Sequence, residues 1–151
     1  MRLLDISGRW GGVTQYCCDR GVHVTTLTIV PDGARYILHL TEENGLPARV
    51  FLEDILNHKP LEPYDRAVTF GVIEHVPDYR RFARTSWDML RPWDRLYLDG
   101  SAIVTKFAVS SRTRDYVWRG AHTFMMVQIV MAELLHHGFE VLEVKRENAR
   151  L

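Results

Sequence analysis

The stretch LLDISGRWGGVTQYCCDRGVHVTTLTI, residues 3–29, decides the fold. It runs from a short apolar segment with an acid near its end, through a corner containing glycine, into a polar helix-like segment and a second apolar segment rich in Val and Thr. This order of strand, corner, helix and strand is typical of a nucleotide-binding βαβ unit. Ser7 and Arg9 are unusual in it, because such corners favour residues with an unrestricted backbone.

The same alternation continues along the chain. Apolar patterning predicts six strands, at residues 3–6, 22–29, 49–52, 67–72, 96–98 and 139–144. It also predicts helices at residues 10–20, 31–43, 79–90 and 123–137. Strands that alternate with helices at this spacing are joined by right-handed crossovers. We therefore predict an α/β fold, with a mostly parallel sheet of about six strands and helices on both faces.

Length and composition bound the class of protein. The chain has 151 residues, which fits a single domain. It carries 19 basic and 19 acidic residues without a basic block, which argues against a nucleic-acid partner. No apolar run is long enough for a transmembrane segment, and the start has no signal-peptide pattern, which favours a cytoplasmic location. Peripheral membrane contact and homo-oligomer formation stay open.

The cysteine content predicts neither a disulfide nor a metal site. Cys17 and Cys18 are the only cysteines and are adjacent in sequence, which is a poor arrangement for a normal disulfide. Two thiols without further ligands are also too few for zinc. We interpret both as small, half-buried helix residues.

Ligands of open parallel sheets bind at the carboxyl ends of the strands, near the point where the strand order reverses. The residues that follow the predicted strands there are 5–12, Thr28, Glu53, Asp54, 71–75, Asp99 and Gly100. Glycines allow the backbone to approach a ligand closely, and carboxylates at such positions accept hydrogen bonds from ribose or adenine. The pattern therefore predicts a ligand site at this edge of the sheet.

Three segments resemble the class I S-adenosylmethionine-dependent methyltransferases, and within them the branch of cyclopropane-fatty-acyl-phospholipid synthases and mycolic acid cyclopropane synthases. Residues 3–29 are similar to that branch's first strand, GCGWGG corner and VTGLTLS strand. Residues 64–100 resemble its fourth strand, Glu-His segment, L-x-P-G-G turn and fifth strand. Residues 116–144 resemble its aromatic-Pro-Gly segment, helix and GFEV strand. The resemblance implies a Rossmann-like fold.

The resemblance also implies a cofactor, S-adenosyl-L-methionine, and the residues that bind it. The residues implied to line its methionine moiety are Asp5, Ser7, Gly8 and Gly11. Thr28 is implied to lie near the ribose, with Glu53 and Asp54 at the adenine. The backbone of Gly71 and Val72 is implied to contact the cofactor.

Three residues are implied to be catalytic. Glu74 and His75 match the family's Glu-His pair, in which the glutamate helps to hold a bicarbonate base and the histidine lies beside the cofactor. Asp99 stands where relatives have His or Gln directed at the reaction centre, and an acid there could act as a base.

The chain departs from the family pattern at several positions. Ser7 and Arg9 replace two glycines of the corner, where a side chain demands a strained backbone or intrudes on the cofactor. Gly33 stands where the family often carries a glutamine, and Trp93-Asp94 replaces the Gly-Gly turn, which predicts a different loop. Relative to the family, we expect a single domain that lacks the N-terminal cap and the last strand.

Two functional hypotheses follow. The first is an S-adenosylmethionine-dependent methyltransferase that acts on a lipid-like or other apolar small-molecule acceptor. The second is a degenerate, catalytically inactive fold that serves as a binding or assembly module, motivated by Arg9, Gly33 and the shortened ends. A hydrolase and a nicotinamide dehydrogenase are disfavoured, because the chain has neither a Gly-x-Ser-x-Gly elbow nor a Gly-x-Gly-x-x-Gly corner. The direction of the Arg9 side chain separates the two hypotheses.

Overall fold

A computed structural model describes residues 1–103 and 125–145. Its main sheet has five parallel strands in the order β3-β2-β1-β4-β5. These strands are β1 (Arg2–Ile6), β2 (His23–Thr28), β3 (Ala48–Leu52), β4 (Tyr64–Phe70) and β5 (Leu90–Asp99). From β1 the chain adds β2 and β3 on one side, and then β4 and β5 on the other side of β1. The strand order therefore reverses between β1 and β4, which is the topological switch point.

Helices cover both faces of the sheet, as predicted. They are α1 (Gly12–Cys18), α2 (Pro31–Glu43), α3 (Tyr79–Met89) and α4 (Val127–His136). Successive side chains of β1 point to opposite faces. Leu3 packs with Cys18 of α1 in one core cluster. Leu4 and Ile6 belong to the larger cluster on the other face, which contains residues of α3 and α4.

Local sequence signals explain several helix boundaries. Pro31 begins α2 at the first helical position, where its missing N–H costs nothing, and the helix ends before Asn44. The Asp78 side chain caps α3 by accepting a hydrogen bond from Arg81 N at 2.9 Å. The α1 helix begins after residue 10 because Gly11 adopts a left-handed backbone with φ 76°, and it ends at Cys18 rather than at the predicted residue 20.

The predicted strand at residues 139–144 is not formed. These residues follow α4 outside any helix or strand, and Leu142 and Val144 remain exposed. Phe139 instead packs edge-on against Trp87 of α3, with ring centroids 5.1 Å apart. Alternating apolar residues form a strand only when a neighbouring strand supplies hydrogen bonds, and no pairing partner lies beside this segment among the described residues.

Two short parallel strands, β6 (Ala102–Ile103) and β7 (Met125–Met126), pair with each other in a separate sheet. The β6 strand follows β5 directly in sequence. The β7 strand occupies part of the predicted helix 123–137, and residues 123–124 of that prediction lie outside the described residues. No helix in the described part of the chain is long and apolar enough to cross a membrane.

The β5 strand begins earlier than predicted. Arg91-Pro92 suggested a break before residue 96, yet Leu90 already pairs with Tyr64 of β4. The register then shifts, so that Arg66 pairs with Arg95. The extra residues form a bulge in which Trp93 is exposed and has φ 71°. Trp93 and Asp94, which were predicted to form a different loop, thus lie in an irregular part of β5.

Candidate functional site

The corner after β1 folds back onto β2. The backbone N–H groups of Ser7 and Gly8 both donate to Leu27 O at 2.9 Å, and Gly11 N donates to Gly8 O at 2.6 Å. Ser7 and Arg9 have φ values of 80° and 41°, in the left-handed region that favours glycine. These are the two positions where the resembling family carries glycine. The corner therefore keeps a glycine-like backbone and stores strain of about 1–2 kcal/mol per residue.

Gly8 lets the corner approach β2 closely. An added Cβ at Gly8 would lie 2.0 Å from Thr26 Cγ2, so no larger residue fits without rearrangement. Arg9 O faces Gly33 in the first turn of α2, where an added Cβ would lie 2.9 Å from that oxygen. This contact gives a physical reason for glycine at residue 33, where the family often carries glutamine.

Asp5 lies buried beneath the corner with 1% of its surface exposed. The Thr14 hydroxyl donates to Asp5 Oδ2 at 3.2 Å and lies 2.6 Å from the Thr26 hydroxyl. Burial raises the pKa of the Asp5 carboxyl from 3.8 to about 6, against the smaller lowering effect of the Thr14 hydrogen bond. Asp5 therefore belongs to a buried polar group that links β1, α1 and β2.

Arg9 crosses the switch point between β1 and β4. Its guanidinium Nη2 donates to Gly71 O, just past the end of β4, at a long distance of 3.5 Å. An added Cβ on Gly71 would lie 2.9 Å from Nη2 and 3.8 Å from Glu74 Oε1. Gly71 has φ 61°. Glycine at this position therefore leaves space between the Arg9 guanidinium and the Glu74 carboxylate.

The end of β4 presents two of the predicted catalytic residues on one short 3₁₀ turn, Ile73–His75. Glu74 is buried, and its Oε1 accepts a hydrogen bond from Ser101 N at 3.3 Å. His75 is exposed. Asp99, at the end of β5, is also exposed, and its carbonyl oxygen accepts a hydrogen bond from Gly71 N at 3.0 Å. The structure therefore brings Glu74, His75 and Asp99 to neighbouring strand ends.

The ends of β2 and β3 carry the remaining predicted residues. Thr28 is buried and accepts a hydrogen bond from Val30 N at 3.2 Å. Asp54 is exposed, and its Oδ1 accepts a hydrogen bond from Leu56 N at 2.8 Å, which closes a turn. Glu53 N donates to Thr28 O at 2.9 Å, so the two strand ends are linked through their backbones.

His58 holds the Glu53 side chain, and sequence analysis missed it. His58 Nδ1 lies 2.8 Å from Glu53 Oε2, and Nε2 lies 2.9 Å from the Tyr64 hydroxyl. Burial raises the pKa of Tyr64, so its hydroxyl stays protonated and can donate to Nε2 while Nδ1–H donates to Glu53. A single histidine in a Pro-containing loop carries no periodic signal, which is why only the structure reveals this chain of hydrogen bonds.

A cavity of about 340 Å³ adjoins these hydrogen bonds. Its lining includes Arg2, Arg49, Phe51 and Lys59 together with Glu53 and His58. Residues of the β3–β4 connection form part of its lining, and Arg9 does not line it. The described residues contain no group of three or more His, Cys, Asp or Glu side chains that could hold a metal ion.

The predicted site residues thus share one edge of the sheet. Those at β1, β4 and β5 surround the switch point, whereas Glu53 and Asp54 lie two strands away from β1 at the end of β3. A small molecule that reaches from the corner to the end of β3 would contact both groups. The arrangement fits an elongated ligand better than a compact one.

Comparison with known proteins adds the family context. The model of the mycolic acid cyclopropane synthetase family matches residues 1–149. The structure of the cyclopropane synthase MmaA2 from Mycobacterium tuberculosis superposes with a TM-score of 0.82 at 21% identity, covering 95% of this chain and 56% of that one. Mycolic acid cyclopropane synthase CmaA1, solved with SAH and CTAB, gives a TM-score of 0.77 at 21% identity, covering 96% and 56%.

One curated relative is the ubiquinone biosynthesis O-methyltransferase of Xylella fastidiosa, 25% identical over 158 residues. The alignment covers 95% of this chain and 62% of that relative. The chain thus spans less than two thirds of the relatives it matches. The likeness to the two synthase structures shows a shared fold.

Proposed function

Because the chain belongs to the mycolic acid cyclopropane synthetase family and has the class I S-adenosylmethionine-dependent methyltransferase fold, we propose that it is an S-adenosylmethionine-dependent methyltransferase. The family match over residues 1–149 carries the proposal. The described site is compatible with it, since every predicted site residue lies near the carboxyl ends of the strands, where ligands of open parallel sheets bind. The inactive-module hypothesis is not favoured by these comparisons, because the family match is to cyclopropane synthetases and the curated relative described above is a methyltransferase.

The site has features that fit the cofactor. Glycine at residue 71 leaves space between Arg9 and Glu74, which a Cβ would narrow. Ser7, Gly8 and Gly11 would hold the methionine half at the corner, with Asp5 beneath them. Thr28 would lie at the ribose, and Glu53 and Asp54 at the adenine. When bound, S-adenosylmethionine supplies a methyl group on a positively charged sulfonium.

The chain's own residues would act mainly by positioning and by charge. Glu74 is buried and held by Ser101 N, so its carboxylate is fixed at the end of β4 and would stabilise a cationic ligand there. The backbone of Gly71 and Val72 would line the opening. His75 and Asp99 are exposed at adjacent strand ends, where they could take a proton from the substrate that receives the methyl group.

We further propose that the acceptor is lipid-like or otherwise apolar. Large exposed apolar side chains lie at or just after the ends of four neighbouring strands, and we call them the apolar rim: Trp10, Ile29, Val30, Leu52 and Phe70. Exposed apolar groups concentrated around one site favour binding of an apolar ligand or a membrane surface. Membership of a family named for mycolic acid cyclopropane synthesis supports the same class of acceptor.

Calorimetric titration with S-adenosylhomocysteine tests the cofactor proposal. We expect saturable binding that weakens about tenfold in Asp54→Ala, because one hydrogen bond at the adenine is lost. Asp88→Ala is the matched control, since Asp88 is an exposed carboxylate near the far end of α3. Absence of binding at millimolar ligand would refute the proposal, and equal weakening in both variants would refute the role of Asp54.

A further inference from the structure

Arg9 places a positive charge at the opening between β1 and β4. Its guanidinium makes one long hydrogen bond, to Gly71 O at 3.5 Å, and the residue is exposed. Among the described residues, no carboxylate lies within ion-pair distance of Arg9. By contrast, Arg66 and Arg91 are paired with Asp94 and Asp65. The Arg9 charge is therefore available to a ligand.

The position of Arg9 in the fold limits what that ligand can be. Arg9 belongs to the corner and reaches over the end of β4, so it faces the same opening as Glu74. A ligand group that pairs with Arg9 must be anionic, and it must stay apart from the Glu74 carboxylate. The fork of N–H donors on a guanidinium matches the two oxygens of a carboxylate.

We propose that Arg9 determines ligand specificity by binding the carboxylate on the methionine half of the cofactor. This inference rests on the proposed function, which brings that half against the corner. The carboxylate is the only anionic group of S-adenosylmethionine, and the weak contact with Gly71 O is easily exchanged for an ion pair. The Arg9 side chain, which in the sequence analysis was expected to intrude on the cofactor, would instead bind it.

The test compares two ligands that differ in the amino-acid half. S-adenosylhomocysteine contains the carboxylate, and 5′-methylthioadenosine lacks it. Both are titrated calorimetrically into the wild type, Arg9→Met and Arg9→Gly. Arg9→Met removes the charge and keeps a long side chain on the strained backbone, whereas Arg9→Gly also relieves the strain. Arg84→Met is the control for loss of one positive charge, since Arg84 lies exposed on α3.

We expect both Arg9 variants to bind S-adenosylhomocysteine about ten- to a hundredfold more weakly, because a charge-assisted hydrogen-bond pair is lost. Their affinity for 5′-methylthioadenosine should equal that of the wild type. Arg9→Lys should fall between, because it keeps the charge without the fork. Arg84→Met should bind both ligands normally.

Other outcomes overturn the inference in distinguishable ways. Unchanged or tighter S-adenosylhomocysteine binding in both variants would show that Arg9 is unused or obstructs the pocket, and the proposed function would stand. A fatty-acid anion can be titrated into the same proteins. If the Arg9 variants bind it more weakly while their S-adenosylhomocysteine binding is unchanged, the Arg9 charge serves the acceptor instead. Binding of neither nucleoside by any of the proteins would overturn the proposed function itself.

Discussion

At the residue scale, the Asp5 carboxyl is buried and accepts a hydrogen bond from the Thr14 hydroxyl. The carboxyl pKa is raised to about 6 by burial, so the folded chain retains a proton that the unfolded chain releases near pH 4. Between these values the folded state binds more protons, and the free energy of unfolding falls as pH rises. The loss attributable to this group is about 3 kcal/mol and is complete above pH 6 to 7.

Asp5→Asn should remove this pH dependence. Asparagine keeps an oxygen that can accept from Thr14 and carries no charge to bury. We expect the variant to match the wild type near pH 4 and to be more stable above pH 6, by urea unfolding at several pH values. Asp32→Asn is the control, because Asp32 is exposed at the start of α2. Parallel pH profiles for wild type and Asp5→Asn would contradict the burial argument.

The glycines of the corner allow a second residue-scale test. Gly8→Ala should destabilise the fold by about 1–3 kcal/mol, because its Cβ would lie 2.0 Å from Thr26 Cγ2. Gly12→Ala should be neutral or stabilising, since nothing lies within 4 Å of its Cβ and it begins α1. Thr26→Ser removes the clashing methyl group and keeps the hydroxyl bonded to Thr14.

The cost of Gly8→Ala should therefore be smaller in the Thr26→Ser background, measured as a double-mutant cycle of unfolding free energies. An unchanged cost would show that the corner does not pack on Thr26 in the way described.

At the element scale, local sequence signals predict the ends of a helix, because these depend on the adjacent backbone. The α2 helix has the predicted bounds, because Pro31 and the Asn44-Gly45 pair act on the adjacent backbone. The predicted strand at residues 139–144 failed, because a strand needs a partner and patterning does not supply one. Glu53 and Arg9 follow strand ends, as the sequence predicts, yet the directions of their side chains depend on contacts with His58 and Gly71 that no local pattern encodes.

The bulge of β5 offers a test of element strain. Trp93 is exposed and has φ 71°, a conformation that costs a bulky residue about 1–2 kcal/mol. Trp93→Gly should stabilise the fold by about 0.5 kcal/mol, because relief of strain exceeds the added entropy of the unfolded chain. Trp93→Ala removes the same indole and keeps the strain, so it should not stabilise. Equal effects in thermal or urea unfolding would assign the change to the side chain.

At the scale of the whole molecule, the parallel sheet collects polar and apolar ligand contacts at one edge. The corner, Glu74 and the acids that follow β3 lie at the carboxyl ends of the strands, and the apolar rim lies at or just after the ends of β1 to β4. Leu61 is an exposed apolar residue elsewhere, beside Arg2 and Tyr64 at the amino ends of their strands. The apolar rim and Leu61 therefore lie at opposite ends of the strands.

Serine substitutions in the apolar rim and at Leu61 should show which of these two exposed apolar surfaces binds a lipid. Ile29 and Leu52 of the rim are 71% and 57% exposed, and Leu61 is 96% exposed. We expect Ile29→Ser and Leu52→Ser each to weaken binding of a lysophosphatidylcholine, titrated below its micellar concentration, by about fivefold. This corresponds to about 1 kcal/mol for partial burial of one side chain. Leu61→Ser should bind as the wild type does, and an equal loss in all three variants would indicate nonspecific adsorption rather than an acceptor site.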